Sequence, residues 1–375
     1  MSESCHFHFT ILFYQIKIKI KYLKLIYRMT IIDTDLTHKE INTLPDELLI
    51  HIFRCLPLED LLSCEEVCNR WMVLAQDAAV WRNIVVVYNG RQSHFNVPEK
   101  SLDVISSHAD FIRCIKLQSV DTYATVMLVT KMCNYLESLE LIMCRISQEF
   151  VSYVMRWPKL KKINLRNCYT GPVNEFDFSI QYDQFKELNY LALSDFGLSS
   201  TNCYALLQCQ YLSHILIEKI KGLQLKFIQE LVLSKQKILV TLHVYGGDAV
   251  DDDCVELMTQ CPRLRDLAIV RCENLTDKGL AMLANIKGIK HLQIWNNNKF
   301  SEQVLLMTLG SPSMINLQRL SFSKILNASP VVVDLISEHY KNLKFLALYQ
   351  CPKIINTDYE KQLKSKFRNI DVVLY

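Results

Sequence analysis

Residues 264–272 read LRDLAIVRC, and the pattern of the first six, L-x-x-L-x-L with a large apolar residue in each marked place, recurs about every 25 residues. Clear copies begin at residues 136, 160, 188, 212, 239, 264, 289, 317 and 343, and weaker ones at 112 and 367. The last two apolar places of each copy are two residues apart, so both side chains point to one face of a short strand. Amphipathic stretches such as Thr276–Asn285, which Thr276 caps, separate the copies. The sequence therefore predicts a tandem array of strand–helix units.

The repeat period lies within the range of leucine-rich repeats. Because one such unit cannot bury its apolar face alone, neighbours have to stack on it. We expect an α/β fold over residues 88–375, a leucine-rich-repeat solenoid of about eleven units. Parallel strands should lie inside the resulting horseshoe and helices outside. Such a solenoid offers a long binding surface more readily than a catalytic cleft.

The composition excludes several classes of function. Half of the 375 residues are hydrophobic and the net charge is only +3, which argues against nucleic acid or an acidic membrane as the main partner. The chain has no Gly-rich phosphate loop, no G-x-S-x-G and no H-E-x-x-H motif. We therefore expect a protein that is not an enzyme and needs no cofactor.

Seven of the fourteen cysteines occupy places fixed by the repeats. The turn after a strand contains Cys144, Cys168, Cys272 and Cys351. The end of a helical stretch contains Cys133, Cys209 and Cys261. Positions fixed by a repeat are packing positions, and a free buried cysteine behaves as a small hydrophobe. No C-x-x-C pair occurs, so we expect neither a zinc site nor a disulfide framework. Many unpaired thiols fit a reducing compartment, hence a cytoplasmic or nuclear location.

Residues 1–40 form a leader outside the predicted fold. Residues 16–21 alternate Ile and Lys, and the lysines interrupt any apolar run long enough for a transmembrane helix. One interpretation is a basic segment that lies on a membrane surface. The other, which we favour, is that the native chain starts at Met29 and that the leader is not native.

Residues 41–87 predict a small module of three or four helices. Leu48, Leu49, Ile52 and Phe53 follow helical spacing. Ile84 and Val86 are expected to form a first, degenerate strand after the module. No Gly/Ser-rich linker follows, which favours a rigid connection to the repeats.

The module resembles an F-box. The resemblance rests on Leu44-Pro45-Asp46-Glu47-Leu48-Leu49, Ile52-Phe53, Leu56, Asp60-Leu61-Leu62, Val67-Cys68, Arg70-Trp71, Leu74-Ala75 and Trp81. With the repeats, the chain is similar to F-box and leucine-rich-repeat proteins of the cysteine-containing repeat subfamily. The resemblance implies the non-catalytic substrate-recognition subunit of an SCF-type cullin ubiquitin ligase. Its module would bind the Skp adaptor, and through it a cullin, while the repeats would bind an unknown protein substrate.

The resemblance also carries over the Skp-binding positions. They are Leu44, Pro45, Leu48, Leu49, Ile52, Leu61 and Trp71. The sequence does not separate those that contact Skp from those that fill the core of the module. Two other functions remain open: a scaffold that binds Skp without delivering substrate, and a membrane-attached receptor that uses the leader.

The outward places of the predicted strands give the candidate substrate-docking surface. Tyr245, Val270, Trp295 and Tyr349 fall on one line, an aromatic patch bordered by small residues. Lys116, Lys162 and Arg166 form a basic corner. We expect His243 and His291, on the same face, to be solvated histidines and not a ligand pair. Asn274 and Asn327 match glycosylation acceptors, but Thr276 and Ser329 are better explained as helix caps.

Overall fold

The computed structural model describes most of the chain. The described residues are 43–90, 98–122, 126, 129, 131–147, 149–169, 180–195, 198–220, 223–246, 249–295, 300–367 and 370–374. The chain divides into two compact units between Leu139 and Glu140. The predicted leader lies outside the described residues. Within them, no helix has the length and apolar content that a membrane span requires.

The first unit contains helices α1 Asp46–Phe53, α2 Leu58–Glu65, α3 Asn69–Ala75 and α4 Ala78–Trp81, strand β1 Val85–Asn89, helix α5 Pro98–His108 and strand β2 Cys114–Gln118. Strand β3, Ser138–Ile142, contains the division between the units. The second unit continues with α6 Glu149–Val154, β4 Lys162–Arg166, β5 Tyr190–Ser194, α7 Ser200–Gln208, β6 His214–Glu218, α8 Leu225–Lys235, β7 Thr241–Tyr245, α9 Asp252–Thr259, β8 Asp266–Val270, α10 Asp277–Leu283, β9 His291–Trp295, α11 Glu302–Leu309, β10 Arg319–Ser323, α12 Pro330–His339, β11 Phe345–Tyr349, α13 Asp358–Lys366 and β12 Asp371–Leu374. Short 3-10 turns at Tyr182–Gln184 and Pro312–Met314 precede β5 and β10.

The four short helices pack around two tryptophans. Trp71 is 1% exposed and meets Phe53 edge-on, with ring centroids 5.3 Å apart. The indole Nε1 of Trp81 donates to the carbonyl oxygen of Ala75 at 2.9 Å, which satisfies its buried polar atom. Strand β1 follows at Val85 and directs Val86 and Tyr88 inward. The predicted first strand is therefore present and contains Val86, whereas Ile84 precedes it.

A buried clamp joins the helical module to α5 within the first unit. We call Glu65, Trp81 and His108 the junction clamp. The Nε2 atom of His108 lies 3.0 Å from both carboxylate oxygens of Glu65, and its ring stacks on Trp81 at a centroid distance of 4.8 Å. The Nδ1 atom lies 3.1 Å from the carbonyl oxygen of Val104, so both ring nitrogens have a protein partner.

Replacing Glu65 by alanine is expected to lower the free energy of unfolding of the first unit by about 1–3 kcal/mol, since a buried imidazole nitrogen then lacks its partner. Amide hydrogen exchange in α5 measures the loss directly, because this helix depends on the clamp. Glu66→Ala, at the exposed neighbouring position, is the matched control and should leave exchange unchanged. Equal protection of α5 in both variants would contradict the assignment of the clamp.

The second unit is a parallel sheet with helices packed along it. From β4 to β12 each strand pairs in parallel with the next one in the chain, and successive helices from α7 to α12 contact one another. The register places Leu267 beside Leu242 and Leu292, so the inward leucines of neighbouring repeats stack. This confirms the predicted α/β solenoid of parallel strands and accompanying helices.

The last repeat differs from the prediction by two residues. Val372 pairs with Leu346 and Leu374 with Leu348, so these are the equivalents of the inward pair. The sequence analysis assigned the inward places to Ile370 and Val372. Both pairs satisfy the same two-residue alternation, and only the hydrogen-bond register distinguishes them.

A left-handed residue follows most of the strands. Non-glycine residues with φ between 49° and 64° occupy this place: Ser119, Met143, Asn167, Asp195, Lys219, Arg271, Lys324 and Gln350. The positive φ turns the next residue inward, which buries Cys144, Cys168, Cys272 and Cys351. Ile220 and Ile325 are buried at the same place. All cysteines among the described residues are free thiols.

Thr276 caps α10 as predicted, since its hydroxyl accepts from the Lys278 amide at 3.2 Å. The hydroxyl of Ser301 caps α11 in the same way and accepts from the Val304 amide at 3.3 Å. Ser329 precedes α12 as predicted, but its buried hydroxyl makes no cap bond and has no partner among the described residues. Asp252 of α9 also accepts from the Thr276 amide at 2.9 Å, so one repeat caps the helix of the next.

Candidate functional site

The seven proposed Skp-binding residues of the helical module differ in how far their side chains are buried. Five of them lie in the core at 8% exposure or less: Leu44, Leu49, Ile52, Leu61 and Trp71. Pro45 is exposed and Leu48 half-buried. Met72 and Val73 on α3, which the sequence analysis did not single out, are exposed at 38% and 63%. Of the seven residues, Pro45 and Leu48 are therefore accessible to a partner protein. The other five form part of the hydrophobic core of the module.

Arg70 fixes the start of α1 next to these surface residues. Its guanidinium donates to the Asp46 carboxylate through Nε at 2.9 Å and to the carbonyl oxygen of Leu44 through Nη2 at 2.6 Å. The side chain lies on α3, so these bonds tie α3 to the segment that carries Pro45. They hold Pro45 and Leu48 in one orientation without any contribution from a partner.

The outward face of the second unit begins with a compensated charge cluster on β3 to β5. The Lys162 ammonium donates to Glu140 at 2.6 Å and lies 4.8 Å from the ring centre of Tyr190. Asn164 donates to the other Glu140 oxygen at 3.0 Å and accepts from Arg166 at 3.1 Å. Burial raises the pKa of Tyr190. Of the predicted basic corner, Lys162 therefore already has a carboxylate partner, while Lys116 lies on β2 in the first unit.

Next along the face, one carboxylate holds two histidines. An Asp266 oxygen lies 2.8 Å from Nε2 of His243, and the other lies 3.3 Å from Nδ1 of His291. Burial alone would raise the pKa of Asp266, but the hydrogen bonds and charges of the two imidazoles bring it below its usual value. His243 and His291 are thus bound to a carboxylate and are not simply solvated, because β7, β8 and β9 place them on either side of Asp266.

The four residues of the predicted aromatic line occupy equivalent places on β7, β8, β9 and β11. Tyr349 is 42% exposed and Val270 only 5%, so Val270 forms the floor between its larger neighbours. The Tyr245 hydroxyl reaches across β8 to the Gln293 amide oxygen at 3.5 Å, and the Trp295 indole donates to the Ser321 hydroxyl at 3.0 Å.

Electrostatics keep the Tyr245 hydroxyl protonated. Burial, with smaller contributions from the nearby Glu218 and Asp266 carboxylates, raises the pKa of Tyr245 to about 12. The face therefore offers neutral aromatic side chains in fixed positions. Among the described residues no cluster of three or more His, Cys, Asp or Glu side chains is arranged to hold a metal ion.

Sequence reasoning named Lys162 and His291 but missed the row to which they belong, the first outward place of each strand. The other members of this row from β5 to β11 are Tyr190, His214, Thr241, Asp266, Arg319 and Phe345. The same two-residue alternation that located the inner leucines could have identified it. The Arg319 guanidinium lies 4.7 Å from the ring centre of Phe345, and burial lowers the pKa of His214, whose Nδ1 lies 2.9 Å from the Thr241 hydroxyl.

Comparison with known proteins identifies the module. Residues 41–86 match the family described as F-box-like. F-box/LRR-repeat protein 5 of Danio rerio is 34% identical over 64 residues, which are 17% of this chain and 9% of that protein. F-box/LRR-repeat protein 4 of Bos taurus is 28% identical over 119 residues, 31% of this chain and 19% of that protein. The chain thus spans less than a fifth of the length of these curated relatives.

Two solved structures resemble the chain at low identity. The complex of Rad7 and Elc1 from yeast gives a TM-score of 0.47 at 17% identity, covering 88% of this chain and 81% of that one. Internalin C2 from Listeria monocytogenes gives a TM-score of 0.32 at 14% identity, covering 52% of this chain and 75% of that one. Identities at this level do not bear on function.

Proposed function

We infer that this F-box and leucine-rich-repeat protein is the substrate-recognition subunit of an SCF-type cullin ubiquitin ligase. The observation that carries the proposal is the F-box-like match over residues 41–86. In the proposed complex the helical module binds the Skp adaptor, and through it a cullin, while the outward face of the repeats holds a protein substrate. A cytoplasmic or nuclear location belongs to the same proposal.

The proposed mechanism is proximity. A substrate held on the repeats experiences a high effective concentration of the ubiquitin-charged conjugating enzyme, and orientation lowers the entropic part of the barrier. The bond-forming chemistry then takes place on other subunits. The junction clamp supports this role, since it holds the F-box-like module in a fixed orientation on α5 of the first unit.

The apolar residues left on the module surface support Skp as its partner. The core of the module buries Leu49, Ile52, Leu61 and Trp71. Only two of the proposed Skp-binding residues, Pro45 and Leu48, remain at the surface. Exposed apolar side chains on a rigid support are the usual anchors of a protein interface.

The double variant Pro45→Ala/Leu48→Ala is expected to reduce the recovery of Skp and cullin at least about tenfold, since it removes two surface anchors. Co-purification of Skp and cullin with the full chain measures this loss. The double variant Met307→Ala/Val331→Ala, which truncates residues 65% and 58% exposed in the second unit, is the control. Both should keep the wild-type melting temperature, and equal recovery of Skp from both double variants would contradict the proposal.

The alternative is a scaffold that binds Skp without delivering substrate. The two functions separate in one measurement, the half-life of proteins bound by the repeats after the chain is depleted. A substrate receptor predicts longer half-lives for these partners, and the scaffold predicts no change.

A further inference from the structure

The cations on the outward face fall into two groups. Lys162 faces Glu140 at 2.6 Å, and Lys219 faces Asp195 at 3.9 Å. The Asp266 carboxylate likewise lies within ion-pair distance of His243 and His291. Towards β8 to β11, three exposed cations have no carboxylate partner within the described part of the chain: Arg271, Arg319 and Lys324. Arg166 on β4 also lacks a carboxylate partner among the described residues and donates to Asn164, whereas these three cations lie together on and beside neighbouring strands.

Two aromatic side chains alternate with these cations across the sheet. Trp295, Ser323 and Tyr349 hold equivalent places on β9, β10 and β11, so the backbones of Trp295 and Tyr349 are about 10 Å apart, two strand spacings. The Trp295 indole reaches over β10 and is fixed by its bond to Ser321. Ser323 on the same strand is only 5% exposed, whereas Tyr349 is 42% exposed. The space above β10 is therefore already covered, and the two rings offer a shallow apolar surface.

The cations lie at different distances from the aromatic surface along the strand direction. Lys324 directly follows Ser323, whereas Arg319 lies four residues before it, about 13 Å along an extended strand. The stack on Phe345 holds the Arg319 guanidinium in place. Three acids lie in this region: Asp266, which is bonded to the two histidines, the exposed Asp371 on β12 beyond Phe345, and the exposed Glu273 two residues after Arg271.

We propose that the outward face of β8 to β11 binds an extended acidic peptide segment, with one large apolar side chain packed on the Trp295 and Tyr349 rings and Asp or Glu side chains on both sides of it. One carboxylate meets Lys324 within one or two residues of the apolar anchor, and another meets Arg319 about four residues to the other side. Arg271 adds positive charge at the rim. This rests on the proposed function, because it names the class of substrate that the repeats would hold.

The test uses the full chain in complex with Skp and three fluorescent pools of 12-residue peptides. Each pool has a central leucine or phenylalanine, with Glu, Gln or Lys at the second position on one side and the fourth on the other. Fluorescence anisotropy should show the Glu pool binding at least about tenfold more tightly than the Gln pool, and the Lys pool more weakly than both. The preference should shrink as ionic strength rises, since exposed charges are screened. Equal affinity for the three pools, or no measurable binding of the Glu pool, would overturn the proposal.

Variants connect the preference to the residues. Arg271→Gln/Arg319→Gln/Lys324→Gln should abolish the preference for the Glu pool, and Trp295→Ala should weaken both the Glu and Gln pools. The matched control, Lys226→Gln/Lys278→Gln/Lys361→Gln, removes the same number of exposed charges from the helices and should behave as the wild type. A retained Glu preference in the first variant would refute the assignment. Skp recovery from the same samples reports on the proposed function separately: loss of peptide binding with Skp retained defeats only the peptide proposal, and loss of Skp with the Glu preference intact defeats only the ligase role.

Discussion

Replacing Trp71 by alanine is expected to lower the free energy of unfolding of the helical module by about 3–5 kcal/mol. The side chain is 1% exposed and meets Phe53 edge-on at 5.3 Å, so truncation removes both its burial and an aromatic contact. A module of four short helices has a small core and cannot refill a cavity of this size. The measurement is denaturant-dependent amide exchange in α1 and α3, which isolates the module from the repeats.

Skp binding is expected to fall in the same variant, but for a different reason from that in Pro45→Ala/Leu48→Ala. Trp71 acts through the fold of the module, whereas the surface residues act through contact. The control is Val73→Ala, on the same helix but 63% exposed, which should change stability by no more than about 0.5 kcal/mol. A Trp71→Ala variant whose α1 and α3 amides exchange as slowly as the wild type would show that the core assignment is wrong.

The repeat pattern predicts most of the fold, because the burial that produces the pattern depends on residues close together in the sequence. Two large apolar residues two places apart bury one side of a strand, and the next repeat supplies the other half of the core. The inward pairs from Ile115 to Leu348 could therefore be predicted from sequence. The prediction failed at the last repeat, where Ile370 and Val372 satisfy the alternation as well as Val372 and Leu374 do. Only pairing with Leu346 decides between them.

The left-handed residue after most of the strands could not be predicted from residue type. Glycine usually marks a positive φ, but here Met143, Lys219, Arg271 and Gln350 adopt it. The burial of the next residue compensates for this strain, and Cys144, for example, is 0% exposed. The cysteines of these turns were predicted as packing residues, but nothing in the sequence indicated the positive φ that buries them.

The contacts within the candidate site could be predicted from the sequence less completely than the fold. Sequence placed Tyr245 and Trp295 on one line, since both occupy the same place in the repeat. It could not show that Asp266 joins His243 and His291, because that contact requires the register of three strands. Nor could it divide the proposed Skp-binding positions into surface and core residues, since Leu48 and Leu49 are neighbours in sequence and differ only in the face of α1 on which they lie.

The Leu267→Ala variant is expected to lower the free energy of unfolding of the second unit by about 2–5 kcal/mol. Leu267 is 1% exposed on β8, and its neighbours Leu242 and Leu292 are at the same register on β7 and β9. The cavity therefore adjoins two other repeats. Because each repeat is stabilised mainly by its neighbours, amide exchange should accelerate first in β7, β8 and β9.

The midpoint of urea denaturation, followed by far-UV circular dichroism, gives the size of this effect. The matched control is Leu233→Ala, which makes the same truncation at a side chain 51% exposed on α8 and should shift stability by no more than about 0.5 kcal/mol. The contrast between the two leucines separates the loss of a buried side chain from the same truncation at an exposed one. If both variants denature at the wild-type urea concentration, Leu267 is not an inward residue of β8. The alignment of neighbouring repeats would then have to be reassigned, and with it the line that places Tyr245, Trp295 and Tyr349 on one face.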